Sequence, residues 1–252
     1  MNWGEEPEFF GPRHYFRESL IVNQLKKRVE KGAMILDAGS GNGSLALRLG
    51  EAGFRVTGID ASDAFVAYAE NGAKQLKLNG AVSFQKGDLL NTELPDETID
   101  AVVSGEVLEH LEQDEKAVRE FSRVLRKGGF CIVTVPAHPH LWDKNDEWAG
   151  HNRRYTKEGL TNIFSDKGFK IVQCHYWGFP LVRLFHRFVY LPMVNKKIMS
   201  EGKNITQEKT LFPRVLKSKK LHLFGAWVFS FDHLFNSVPL GIGLLMVARK
   251  KL

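Results

Sequence analysis

The chain has 252 residues, enough for one α/β domain with embellishments and a sizeable core. Its 2 cysteines, Cys131 and Cys174, sit in apolar runs, so a disulfide framework is excluded and a reduced compartment is expected. No uncharged apolar run reaches the ~20 residues of a spanning helix, which leaves a soluble protein or one lying on a membrane surface. The net charge of +6 is held unevenly: residues 178–240 carry +7, from 10 Lys and Arg against 3 Asp and Glu, and the rest of the chain carries −1.

The opening MNWGEEPEFFGPRHYF is acidic and broken by Pro7 and Pro12, unlike a signal peptide. His14 to Glu30 then has the spacing of an amphipathic helix, with Phe16, Leu20, Ile21 and Leu25 at helical intervals. The stretch Ala33 to Asp60 has the pattern strand, glycine turn, helix, strand. Met34 to Leu36 is apolar and closes at Asp37; Gly39, Gly41 and Gly43 alternate with Ser40, Asn42 and Ser44. Ser44 is expected to cap a helix carrying Leu45, Leu49 and Ala52 on one face. Glycines let the backbone turn sharply and a ligand approach with no Cβ in the way. Asp60, at the tip of the second strand, is placed to accept hydrogen bonds from two ribose hydroxyls. A helix from Asp63 to about Leu78, a strand Val82 to Lys86 and the turn Gly87-Asp88-Leu89 follow. Next come a strand Ala101 to Ser104, GEVLEHL at 105–111, a helix from about Asp114 to Leu125, the KGG turn at 127–129 and a strand Phe130 to Val135. Thr156 to Lys167 has the pattern of a capped helix, and Phe169 to Tyr176 that of a strand. This alternation predicts a mainly parallel sheet with helices on both faces and its ligand at the strands' C-terminal ends.

A dinucleotide loop has the pattern G-x-G-x-x-G; here it is D-x-G-x-G-x-G, beginning at Asp37. This resembles motif I of the class I S-adenosylmethionine (SAM) methyltransferases. A nicotinamide or flavin site is the competing reading, and the later motifs side with SAM. The resemblance runs from about residue 30 to 177. It implies a Rossmann-like, seven-stranded, mostly parallel sheet in the order 3-2-1-4-5-7-6, with an antiparallel seventh strand at Gly241 to Arg249. It also implies a cofactor cradle of Asp37, Gly39, Ser40, Gly41, Gly43, Asp60, Ala61, Asp88, Leu89 and Gly105. In it Asp88 accepts the adenine amino group and the backbone N–H after it meets a ring nitrogen. HYFR at 14–17 resembles a segment that precedes the core of several bacterial methyltransferases, so residues 1–30 are expected to form a helical lid.

For methyl transfer the nucleophile must be aligned and its proton managed. Glu106, Glu109 and His110 follow the fourth strand, and the spacing of the two glutamates suits one helix face. E-x-x-E-H, with His151 in the later segment GHNRRYT at 150–156, resembles the small-RNA 2′-O-methyltransferases and the ubiquinone-pathway O-methyltransferases. That resemblance implies catalytic and metal-ligating roles for Glu106, Glu109, His110 and His151, with Mg²⁺, Mn²⁺ or Zn²⁺. The competing reading is that the glutamates and histidine cap a helix or orient substrate without metal, and that His151, Arg153 and Arg154 hold a phosphate.

Residues 178–240 depart from the minimal fold as a basic, apolar helical insertion between strands 6 and 7. Across 180–194, Arg183, His186 and Arg187 fall on one helical face and Leu181, Leu184, Phe185 and Phe188 on the other. LHLFGAWVFSFDHLF at 221–235 is more apolar still and follows Lys217, Lys219 and Lys220. Such a segment suits an anionic membrane interface. The expectation is a single-domain, cytoplasmic SAM methyltransferase, acting on a hydroxyl of a small or lipid-linked acceptor and held peripherally on the inner membrane face by its insertion. An RNA O-methyltransferase and a non-catalytic SAM-binding regulator are the alternatives.

Overall fold

The computed structural model describes residues 11–195 and 219–252. The first ten residues of the expected lid and residues 196–218 of the insertion, Lys217 among them, lie outside the described residues. Seven strands form one sheet: β1 (Met34–Ala38), β2 (Arg55–Asp60), β3 (Val82–Lys86), β4 (Ile99–Gly105), β5 (Leu125–Pro136), β6 (Phe169–Trp177) and β7 (Gly243–Lys250). Their order is β3-β2-β1-β4-β5-β7-β6, with β7 antiparallel to both its neighbours and the other pairings parallel. β5 starts earlier than its apolar run because Lys127 to Gly129 ride inside it as a bulge. Leu125 pairs with Ile99, and the ladder resumes at Phe130 with Ala101.

Period-2 alternation divides the strand side chains between two cores. Ile35, Ala101, Val103, Ile132, Leu245 and Val247 face one side; Leu36, Val102, Cys131, Val133, Leu244 and Met246 face the other. Helices α4 (Asp114–Val124) and α6 (Lys157–Asp166) cover the second side, through Val118, Phe121, Leu160 and Phe164. The first side is covered by α1 (Pro12–Lys26), α2 (Ser44–Glu51) and α3 (Asp63–Gln75).

The insertion also packs on the first side. Its helices α7 (Leu181–Phe185) and α8 (Lys219–Ser230) bury Val182, Ala226 and Phe229 there. Phe229 stands edge-on to both Phe16 of α1 and Phe185 of α7, with centroids 6.1 and 5.4 Å away. Asp232, buried after α8, accepts the N–H groups of Leu181 and Val182 at 2.9 and 3.0 Å. It thereby caps α7 and ties the start of the insertion to its end. The expected division of faces across 180–194 is corrected. Val182 points inward, whereas Leu184 and Phe188 are exposed. His186 is stacked on Tyr190 and bonded to Arg13 of α1 at 3.2 Å. A π-turn at His186–Tyr190 takes an extra residue per turn, so the period of Leu181–Phe185 does not carry through the residues that follow.

Ser44 is not the cap of α2. That position belongs to Gly43, at φ +83°. Ser44 is the first helical residue and gives its hydroxyl to Glu18 of α1. Glu18 is 3% exposed and also meets Arg48 at 2.8 Å and His14 at 2.9 Å. Burial alone would raise its pKa, but His14, Ser44 and Arg48 outweigh burial and bring it to about 2 from 4.5. The ionised form is thus favoured by folding, with ~3 kcal/mol present above the unfolded-state pKa and lost as pH falls through the folded one. Chemical denaturation of the wild type should show this loss between pH 4.5 and about 2. Glu18→Gln should be less stable at neutral pH and flatter over that window; equal acid slopes would remove Glu18 as the cause.

Candidate active site

The glycine turn after β1 is built by backbone bonds to β2. The N–H groups of Gly39 and Ser40 donate to Ile59 at 2.9 and 3.0 Å, and Gly43 donates to Ser40 at 2.9 Å. Gly39 has no room for a side chain: a Cβ there would stand 2.5 Å from Val107, which folds over the turn from the end of β4. Gly41 differs. Its φ is +52°, and nothing lies within 4 Å of where its Cβ would be. Only its conformation and the open space in front of it call for glycine. Asp60 holds this turn, accepting the Gly41 N–H at 2.8 Å with one oxygen and the Ser62 N–H at 3.0 Å with the other. Asp88 closes its own turn by accepting the Leu90 N–H at 2.8 Å. Asp37 lies buried beneath the turn, and burial, aided by the charges of Glu18 and Asp60, pushes its pKa up to about 8. Ala61, Leu89 and Gly105 stand with these groups along the C-terminal edge of β2, β3 and β4.

On the β4 side, Glu106 leaves the strand at φ +60°, and only Leu108–His110 form a 3-10 turn. The expectation that Glu106 and Glu109 share a helix face is therefore corrected: Glu106 is left-handed and outside the turn, although its charge still reaches Glu109. Glu106 turns towards Arg13, 4.0 Å away. Glu109 is fully buried, and neither carboxylate oxygen has a hydrogen-bond partner. Burial, together with the charge of Glu106, holds its pKa well above the carboxylate range. Burial and the charge of His151 bring His110 down to about 4, so its ring is neutral at pH 7. One ligand atom from each of Glu109, His110 and His151 lies within 4.8 Å of the others, and this trio excludes Glu106. The two imidazoles meet edge to face, 4.8 Å between centroids.

His151 is positioned by α5 (Lys144–Ala149) and the turn behind it. Asp143 and Asp146 form a capping box, Gly150 ends the helix in the left-handed region, and the chain doubles back. Asp146, fully buried, accepts from His151 Nδ1 at 2.8 Å and from Arg154 at 2.7 to 2.9 Å. Burial would raise the Asp146 pKa; the bonds from His151 and Arg154 lower it instead, to about 2. An ionised Asp146 can only accept, so Nδ1 is the donor in this bond and Nε2 is the nitrogen left for other partners. The phosphate reading of the arginines is not favoured, since Arg154 is spent on Asp146 and Arg153 lies 2.8 Å from Asp114. His138 and His140 form a separate group, with His138 stacked on Tyr176 at 4.9 Å. Asp146 and the α1 residues Arg13, Arg17 and Glu18 were missed in the sequence. The D-x-x-D capping box was the one signal that pointed to Asp146.

Residues 36–133 match the family described as a methyltransferase domain. A "Probable S-adenosylmethionine-dependent methyltransferase" of Mycolicibacterium smegmatis is 31% identical over 160 residues, covering 63% of this chain and 60% of that protein. An S-adenosyl-L-methionine-dependent Diels-Alderase of Talaromyces variabilis is 30% identical, covering 69% of this chain and 66% of that one. These alignments span less than two thirds of each relative's length. Among solved structures, the [4+2]-cyclase SpnF superposes with a TM-score of 0.66 at 22% identity, covering 99% of this chain and 86% of that one. Sheet order, glycine motif and family match together define the class. The chain belongs to the class I SAM-dependent methyltransferase superfamily, whose cofactor is SAM.

The contrast between the glycines makes a test. Gly41→Ala should fold, with a loss of ~1–2 kcal/mol for a side chain in the left-handed region. Its affinity for S-adenosylhomocysteine should fall at least tenfold by calorimetry. Retained affinity would take Gly41 out of the cofactor cradle.

Proposed function

We propose that this chain transfers the methyl group of SAM to a hydroxyl on a small or lipid-linked acceptor, with His151 as general base. The Asp146–His151 pair carries the reading: a buried, ionised carboxylate orients an imidazole beside Glu109 and His110. In the reaction, the acceptor O–H proton passes to His151 Nε2 as the oxygen attacks the methyl carbon in line. The C–S bond breaks, its electron pair returns to sulfur, and S-adenosylhomocysteine leaves. Asp146 stabilises the imidazolium that forms. Asp60 and Asp88 are read as the ribose and adenine contacts, with Asp37, Gly39, Ser40, Gly41, Gly43, Ala61, Leu89 and Gly105 completing the cradle.

A second reading is favoured by Glu109, whose buried oxygens lack partners beside two imidazoles. Glu109, His110 and His151 fit a divalent cation, and Asp146 is the outer carboxylate such a histidine ligand usually has. When bound, the ion would polarise the acceptor hydroxyl and lower its pKa. Release of labelled methyl from SAM into a lipid and small-molecule extract tests both readings. It also separates methyl transfer from chemistry that binds SAM without consuming it. His151→Gln and Asp146→Asn should each lower turnover about a hundredfold while S-adenosylhomocysteine affinity stays within about twofold. Undiminished turnover in His151→Gln would overturn the base and the metal alike. Loss in EDTA, restored by Mg²⁺, Mn²⁺ or Zn²⁺, selects the metal; full activity in EDTA selects the base.

The lipid-linked acceptor draws support from the insertion. Phe224, Trp227 and Phe231 are 59%, 58% and 48% exposed and stand in a continuous ring series along α8 and the turn after it. Leu184 and Phe188 of the neighbouring segment are exposed as well. Aromatic residues within a basic segment suit an anionic bilayer interface. Among the described residues no helix is long and apolar enough to cross a membrane. Flotation with vesicles of phosphatidylglycerol and phosphatidylcholine should recover the wild type. Trp227→Ser with Phe231→Ser should lower recovery at least fivefold; equal recovery of the two proteins would end the docking proposal.

A further inference from the structure

The edge of the sheet opposite the glycine turn, where β1, β4 and β5 begin and β7 ends, takes no part in methyl transfer. A cleft of about 500 Å³ opens there between the loop after α1 and the bulge in β5. Its lining holds 5 Lys and Arg against 2 acids, Glu30 and Asp100, which leaves +3. Asp100 is already taken by Arg126 at 2.5 Å and by the Met34 N–H at 2.8 Å, and Glu30 is exposed. Among the described residues no acid pairs with Arg28, Lys31, Lys127 or Arg249. Neutral groups hold the two arginines instead. Arg249 donates Nε to the Gly128 carbonyl at 2.9 Å, lies 5.5 Å over the Phe130 ring and keeps both Nη groups for another partner. Arg28 donates to Gln24 at 2.6 and 2.9 Å and to Gln173 at 3.4 Å, and burial brings its pKa down with no acid opposing. The sheet adds a further cation beside the cleft, because Lys170 of β6 stands directly opposite Arg249 in the ladder. Like charges so placed are destabilising, and an anion seated between them turns that repulsion into a gain.

Arginine forks match the paired oxygens of a phosphate, and lysines add charge without a fixed geometry. The apolar part of the lining, Phe130, Val29 and Ala33, together with the volume, leaves room for the body of a small ester. We infer that this cleft is an anion site that takes a phosphate monoester, with Arg249 and Arg28 as its fixed donors. β4 spans 7 residues, so at ~3.3 Å per residue the cleft lies on the order of 20 Å from the glycine-turn edge. The site is therefore distinct from the one that holds SAM, and the inference does not depend on how the acceptor is read. A soluble ester and a lipid headgroup present the same group to it.

Two assays test it and tell the sources apart: calorimetry with glycerol 3-phosphate at low ionic strength, and flotation on vesicles of phosphatidic acid and phosphatidylcholine. Lys170→Gln with Arg249→Gln should weaken binding at least tenfold, whereas Arg13→Gln, at the glycine-turn edge, should leave it within about twofold. In chloride the double variant should melt no lower than the wild type, since two opposed like charges are gone. Lys31→Gln with Lys127→Gln, both exposed, repeats the test without touching the sheet and should weaken binding about threefold. A loss with glycerol 3-phosphate supports the site with a soluble ester as its ligand; a loss confined to the vesicles supports it with a headgroup. Variants equal to the wild type in both assays would overturn the inference. Loss in Arg13→Gln alone would do the same by moving the anion to the other edge. An equal loss on phosphatidylglycerol vesicles, which carry no monoester, would reduce the cleft to bare charge and overturn it as well.

Discussion

A single buried carboxylate holds the N-terminal helix against the cofactor turn. Glu18 gathers a serine hydroxyl, an imidazole and a guanidinium from two helices. Arg48 also reaches the Tyr15 carbonyl and the Ser19 hydroxyl and lies 3.9 Å over the Tyr15 ring. Truncating one member of such a buried cluster strands the others. The geometry of α1 decides where Arg13 and Arg17 stand and where Phe16 meets Phe229 of the insertion. Two regions far apart in the chain thus cover the site as neighbours, and both depend on one ionic joint.

How much of this was legible in the amino acids follows the range of the forces involved. The glycine turn, the strand tips and the helix after Thr156 are local. Backbone stereochemistry and capping write them into adjacent residues, and the structure has them where the pattern put them. The order of the strands was implied by the family resemblance and agrees as well. The end of β4 was misjudged because nothing in V-L-E-H-L announces that Glu106 will take a left-handed conformation. Residues 180–194 were misjudged for a related reason. A helical wheel does not say which side of the helix the sheet will cover, and it assumes one period, which the π-turn changes after Phe185.

The partnership of Asp146 with His151 was invisible for a different reason. Five residues apart, they meet only because a short capped helix ends at Gly150 and reverses the chain. Arg154 then closes on the same carboxylate, and Asn152 donates to the backbone carbonyls of Glu109 and His110 at 2.7 and 2.8 Å. The loop after β5 is laced in this way to the loop after β4. A lone histidine in GHNRRYT becomes one member of a rigid, preorganised assembly.

The sheet also settles how freely the outer parts of this protein can change. Trp177, the last residue of β6, is paired with Gly243, the first of β7, and its indole lies so close that a Cβ on Gly243 would stand 2.4 Å from Nε1. The insertion thus leaves and rejoins the sheet at one clasped point. Closing a loop across that point costs only ~0.6 kcal/mol more for each doubling of its length. The sheet therefore sets little limit on the length of the segment between β6 and β7, while its content is constrained: Val182, Ala226 and Phe229 still have to fill the core beside α1.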